Sequence, residues 1–281
     1  PEQWRRGTET TMNRSIYIGY DGREAETFAV CRYTLRKFAP DVPIHAVALE
    51  ELRNAGLYWR PTSYDDKGRL FDDISGFHMS TEFAICRFLT PVLAKASFHT
   101  GWALFMDSDI LARDDIDDLF AECDPSKAVM CVQHTHAVTD GSTKMDGQVQ
   151  NRYARKNWSS VVAYNLAHPS NRKLTVQLIN TVPGRDLHAF CWLKDHEIGA
   201  LSQPWNYLAG YTKLPNGDHP KLVHHTEGGP WLKNYQDVEY AAEWLAARAA
   251  WLNEGMSTRP SARVSALTLR RPNGALATAV G

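Results

Sequence analysis

Two carboxylates, one residue apart, close an apolar run in the middle of this 281-residue chain: Ala103-Leu-Phe-Met106 leads into Asp107-Ser108-Asp109. Side chains two apart on an extended backbone point the same way. Both carboxylates therefore face one spot past the strand's carboxyl end, where open α/β sheets bind their ligands. Hard oxygen ligands at this spacing suit Mg²⁺ or Mn²⁺, with substrate phosphates completing the shell. A solvated acidic turn would read the same in isolation. The wholly apolar lead-in and the acidic, capped helix start at Arg113-Asp-Asp-Ile-Asp-Asp118 favour a site. A second stretch, Lys221 to Trp231, brings His224 and His225 to a turn holding Gly228 and Gly229. There an imidazole and several backbone N–H groups would face an anion or a metal, and spacing does not choose between the two histidines. Arg87 lies one position off the apolar face of its helix, as an ordinary surface arginine would.

These residues need elements to position them. Ser15 to Tyr20 reads as a first strand ending at the turn Asp21-Gly22, Glu24 to Phe38 as an amphipathic helix, and Ile44 to Leu49 as a second strand. Strand, helix, strand at this spacing is a βαβ unit with a parallel sheet. Residues 50–76 are polar, turn-rich and expected to be irregular. A helix capped by Ser80 or Thr81 runs to Ala96 with a kink at Pro91. Ala128 to Val132 and Asn157 to Asn165 are further strands, separated by a long polar loop at 135–153. Ser170 is expected to cap one later helix and Asp237 another, from Val238 to Leu252. Between them Phe190, Trp192, Asp195, Glu197, Trp205, Asn206 and Tyr207 alternate aromatic with polar groups, the composition of a sugar-binding wall or of an aromatic core. Trp205 to Tyr207 and Glu227 to Trp231 are expected to form one wall of a cleft.

The chain is 43% hydrophobic with a formal net charge of -1, enough for one core and against a nucleic-acid-binding surface. Five cysteines, odd in number and without C-x-x-C spacing, read as reduced thiols of a cytoplasmic protein. No apolar run reaches the ~18 residues of a membrane span, which leaves association at a membrane surface open. Residues 1–11 read as extraneous, with Met12 as the start of a 12–255 domain. Residues 256–281, with four arginines and no acid, read as a flexible basic tail.

Taken in this order, the segments resemble one family: the GT-A fold glycosyltransferases, in particular the family 8 retaining sugar transferases and their bacterial relatives. The likeness covers about Ser15 to Trp251. It implies an α/β, Rossmann-like fold with a mixed, mostly parallel central sheet flanked by helices. It further implies a hexosyltransferase-like enzyme that moves a sugar from a nucleotide-diphosphate sugar, most simply a UDP-sugar, to a hydroxyl acceptor with retention, in glycan or glycoconjugate synthesis. By position, the resemblance assigns Asp107, Asp109 and His224 as ligands of Mn²⁺ (or Mg²⁺), Arg87 as a donor-holding catalytic group, and Gly19, Tyr20 and Asp21 as nucleoside contacts. Ser108, Ser159, Ser160, Gly228, Gly229 and Trp231 complete the donor set. Asp195 is the candidate for polarising donor sugar or acceptor, and Lys156 for a phosphate contact. The chain departs from the family in two places. Gly229 replaces the lysine before Pro-Trp in a shorter turn, and Trp158-Ser159-Ser160 replaces an amide-small-Gly motif. Two rivals are a catalytically inactive GT-A protein that binds sugar or nucleotide, and a haloacid-dehalogenase-like phosphatase. In the phosphatase the motif sits on the first strand before a Gly-Thr turn, whereas here Ile110-Leu111 follows it.

Overall fold

The computed structural model describes residues 14–97, 99–134, 155, 157–215 and 217–255. The expected segments 1–11 and 256–281 and the loop at 135–153 lie outside them. Strand β1 (Arg14–Tyr20) is buried on both faces, as central parallel strands are. Asp21 ends it by accepting from Arg23 N and capping a 3₁₀ turn, after which α1 (Ala25–Phe38) runs to a basic last turn. β2 (Ile44–Ala48) then pairs parallel with β1.

Residues 50–76 are more ordered than their composition suggests. They hold most of α2 (Leu49–Asn54), then β3 (Thr62–Tyr64) and β4 (Leu70–Asp72), which with β5 (Phe77–His78) make a small antiparallel sheet. Strands of two or three residues carry no readable period. What fixes them is Arg60, buried, which pairs with both oxygens of Asp72 and donates to the carbonyls of Ile179 and Val182.

The helix expected up to Ala96 is broken into α3 (Phe83–Cys86), a 3₁₀ turn Arg87–Leu89, and α4 (Thr90–Ala96). Pro91 has no N–H for the Arg87 carbonyl four residues back, so the break precedes it by one turn. That carbonyl is taken instead by the Thr90 hydroxyl at 2.8 Å. β6 (Trp102–Met106) pairs parallel with β1. It stops at the carboxylate motif, as the sequence implies, and β7 (Ile110–Ala112) beyond the motif enters another sheet.

Asp115 caps α5 (Ile116–Ala121), followed by β8 (Val129–Cys131) and β9 (Val161–Asn165), with β9 antiparallel between β8 and β6. α6 (Val176–Thr181) is capped by Thr175 rather than Ser170, which sits in a preceding 3₁₀ turn. α7 (Gly184–His188), β10 (Ile198–Ala200), β11 (Tyr207–Leu208) and β12 (Leu222–His224) follow. α8 (Ala241–Asn253) begins later than the Asp237 cap implies, because Tyr240 takes a left-handed conformation at φ 63°.

The central sheet, ordered β10-β8-β9-β6-β1-β2, is mostly parallel and helix-flanked, as expected. Its alternating side chains build two cores. Ile16, Ile18, Leu104 and Met106 pack toward Phe28 and Leu35 of α1, while Tyr17, Phe105 and Tyr164 pack toward Phe83, Phe88 and Leu89. The second sheet, β11-β12-β7, lies under Trp244 and Trp251 of α8.

Candidate functional site

The carboxyl end of β6 and the end of β12 meet. β12 runs antiparallel to β7 with His224 opposite Ile110, and His225 N donates to Asp109 O at 3.1 Å. That register carries His224 back onto the motif that precedes β7. One ligand atom from each of Asp107, Asp109 and His224 lies within 4.8 Å of the other two, and His224 Nε2 is 3.3 Å from Asp109 Oδ1. Two carboxylate oxygens and an imidazole nitrogen at this separation fit a hard or borderline divalent cation. The neighbouring His225 points the other way. Its Nε2 bonds the Glu239 carbonyl at 3.1 Å and its ring meets Trp231 edge-on, so of the two histidines it is His224 that stands beside the carboxylates. Beneath the motif Cys31 Sγ lies 3.9 Å from Asp107 O, and burial, with Asp109 and Asp107 nearby, pushes its thiol up so that it stays protonated.

Arg87 is a buried residue, not a surface one. Its guanidinium lies over the Phe83 and Phe105 rings, 5.3 and 5.1 Å from their centroids. Nη1 is 2.7 Å from Asp107 Oδ1 and donates to Ser159 O at 3.0 Å. Asp107 N in turn donates to Ser160 O at 2.9 Å, which ties the motif to the turn before β9. Ser159 Oγ is 2.7 Å from Nδ1 of His188, a residue that sequence reasoning missed. Burial, aided by the nearby Arg87 charge, lowers the His188 imidazole to about 3, so it is neutral.

The other expected site residues are placed less uniformly. A Cβ on Gly19 would lie 2.4 Å from the Phe83 ring, so this glycine admits the ring that packs on Arg87. Tyr20 packs edge-on against Phe28. Asp21 is buried, and although burial works against its charge, hydrogen bonds from Arg23 and from Glu82 N hold its carboxyl below the usual range. Ser108 is buried within the motif turn. Gly228 has φ +128°, and a Cβ on Gly229 would strike the Trp231 ring at 2.0 Å. Trp231 itself leans on Trp244, with ring centroids 5.2 Å apart.

Asp195 stands outside the cluster, its side chain 93% exposed and 2.5 Å from Arg155 Nη2. Lys156 lies outside the described residues. Trp205 is not a cleft wall. It is fully buried, and its Nε1 donates to Glu122 at 2.7 Å, a carboxylate 83 residues away that no local pattern reveals. Phe190 and Trp192 are likewise core. Among the described residues no helix is long and apolar enough to cross a membrane.

A mostly parallel sheet with an Asp-x-Asp turn at the end of a central strand is the GT-A glycosyltransferase fold. The WbbM bifunctional glycosyltransferase superposes with a TM-score of 0.54 at 15% identity, over 85% of this chain and 50% of that one. The glycosyltransferase GlyE of Streptococcus pneumoniae TIGR4 gives 0.52 at 16% identity, over 86% of this chain and 63% of that one. The chain thus spans about half to two thirds of these structures. No protein-family model matches it. Over 234 residues it is 42% identical to Protein CDI of Arabidopsis thaliana, covering 82% of this chain and 84% of that protein, and it belongs to the family of Protein CDI.

Proposed function

We propose that this protein transfers a sugar from a nucleotide-diphosphate sugar, most simply a UDP-sugar, to a hydroxyl acceptor, with retention of configuration. The observation that carries this reading is the convergence of Asp107, Asp109 and His224 at the sheet's carboxyl end. These residues would hold Mn²⁺ or Mg²⁺, which when bound offsets the charge of a departing diphosphate. Arg87 sets a fixed positive charge beside the same spot, oriented before any substrate arrives by Phe83, Phe105, Asp107 and Ser159. The Ser159-Ser160 turn forms the floor against which the donor sugar would rest. Gly19, Tyr20 and Asp21 at the end of β1 would meet the nucleoside, and Ser108 and the turn of Gly228, Gly229 and Trp231 the diphosphate. With a good leaving group so stabilised, no strong base is needed. The acceptor hydroxyl would attack from the face the phosphate leaves, and the phosphate oxygen would take its proton. Exposed Asp195, beside Arg155, is the group available to orient an acceptor or the donor's hydroxyls.

Thermal unfolding with Mn²⁺ and a panel of nucleotide sugars tests this reading. A true donor at about 100 times its Kd should stabilise by about 2.7 kcal/mol, only with the metal present. Asp109→Asn should lose both the stabilisation and turnover, while changing metal-free stability by less than about 1 kcal/mol. A panel in which no nucleotide sugar stabilises would sink the proposal, as would normal turnover by Asp109→Asn. Stabilisation without release of nucleoside diphosphate would assign the fold to sugar binding instead.

A further inference from the structure

Behind His224 lies Asn206, a fully buried amide in the 3₁₀ turn Gln203–Asn206, whose three contacts decide its orientation. Its Nδ2 is 3.2 Å from the carbonyl oxygen of Asn157, a group that can only accept. The same Nδ2 is 2.9 Å from Ser160 Oγ, whose own proton is already directed at that carbonyl at 2.6 Å. Both neighbours therefore accept, which fixes the nitrogen on that side of the amide. Oδ1 must then face His224 Nδ1, at 2.9 Å. An amide oxygen cannot donate, so Nδ1 carries the hydrogen, and in the neutral ring Nε2 is left with its lone pair. Nε2 is the atom that points at Asp109.

From this geometry we infer that Asn206 is a positioning residue, which holds His224 in the tautomer able to ligate a cation. The inference rests on the metal site proposed above. A backbone carbonyl in that place would set the tautomer equally well. The side chain does more, because its two N–H groups bind the Asn157 to Ser160 turn that also carries the Ser159 and Ser160 contacts to Arg87 and Asp107. The imidazole and the cleft floor are thereby clamped by one amide. The sequence offers no signal of this beyond an Asn following Pro-Trp.

Mn²⁺ binding, followed by the electron paramagnetic resonance of the free ion with no substrate present, provides the test. Partners of a ligating histidine are typically worth about 10–100-fold in metal affinity, so Asn206→Ala should weaken Mn²⁺ by that factor. In a His224→Ala background the same substitution should do nothing more. Nitrogen NMR of the wild-type imidazole at alkaline pH should show the proton on Nδ1, a reading that survives even if the variant does not fold. The inference fails alone if the wild type binds Mn²⁺ and Asn206→Ala binds it equally, if the two substitutions add, or if the proton is on Nε2. A wild type that takes up no Mn²⁺ overturns the metal reading and this inference together.

Discussion

Two arginine–aspartate pairs among the described residues, Arg60–Asp72 and Arg87–Asp107, are built differently: the first is wholly buried, whereas in the second a buried arginine meets a half-buried carboxylate. In the small antiparallel sheet, Asp72 gives both carboxylate oxygens to Arg60, at 2.5 and 2.6 Å, and accepts Ser75 N as well. At the strand end, Asp107 Oδ1 lies 2.7 Å from Arg87 Nη1, beside a second carboxylate and an imidazole. Arg60 is fully enclosed and spends its remaining N–H groups on the carbonyls of Ile179 and Val182 and on Ser75 Oγ. Arg87 is held by two aromatic faces, which attract its charge without neutralising it. The first arrangement is closed and structural. The second partly neutralises two neighbouring carboxylates, so that they can stand together where the proposed cation would bind.

The largest expected effect comes from breaking the closed pair. Arg60→Leu leaves the Asp72 carboxylate buried without its partner and should cost about 3–5 kcal/mol in chemical denaturation. Mn²⁺ affinity of the molecules that remain folded should be unchanged. Loss of metal binding without loss of stability would show that the two regions are not independent.

An effect that is intermediate per pH unit tests the charge environment of Arg87 through His188. The folded imidazole is held at about 3, whereas an unfolded one titrates near ~6.5. Above that value both states are neutral and nothing is lost. As pH falls below it the unfolded chain takes up a proton that the fold refuses, so stability declines by up to about 1.4 kcal/mol per pH unit down to about 3. His188→Asn, compared with wild type across this window, should flatten the acid limb by one proton. Identical slopes would mean that His188 is not held neutral.

The smallest effect is expected at the rim. Asp195→Asn removes an exposed ion pair and should change stability by no more than about 0.5 kcal/mol and Mn²⁺ affinity not at all. If this carboxylate orients a substrate, turnover or the KM for acceptor should shift while the metal titration does not. Wild-type kinetics would remove Asp195 from the site.

The sequence discloses the frame through its long apolar runs. β1, β6 and β9 alternate between two cores and are readable from composition, as is the motif where β6 stops. The pairing that assembles the candidate site is not readable, because β7 and β12 have three residues each and their register is set by contact, not period. His188, at the end of the five-residue α7, and the role of Asn206, which reads as part of a sugar-binding wall, are hidden for a related reason. A polar residue in a short helix or turn looks solvent-exposed until the fold encloses it. Trp205 shows the converse error, since an aromatic next to polar residues reads as a sugar platform unless Glu122 is known to be waiting for its N–H.

The antiparallel seam between β7 and β12 also dictates when the cleft can come into being. Its ligands are separated along the chain from position 107 to position 224, and closing so long a loop is slow and entropically costly. As a nascent chain lengthens from its amino end, β1, α1, β2 and β6 can assemble early through comparatively local contacts. No fragment ending before His224 can hold the full set of three ligands. If these three residues hold the proposed divalent ion, its uptake would report on completed folding, and adding it to a refolding chain should draw the last seam shut by mass action rather than nucleate the first.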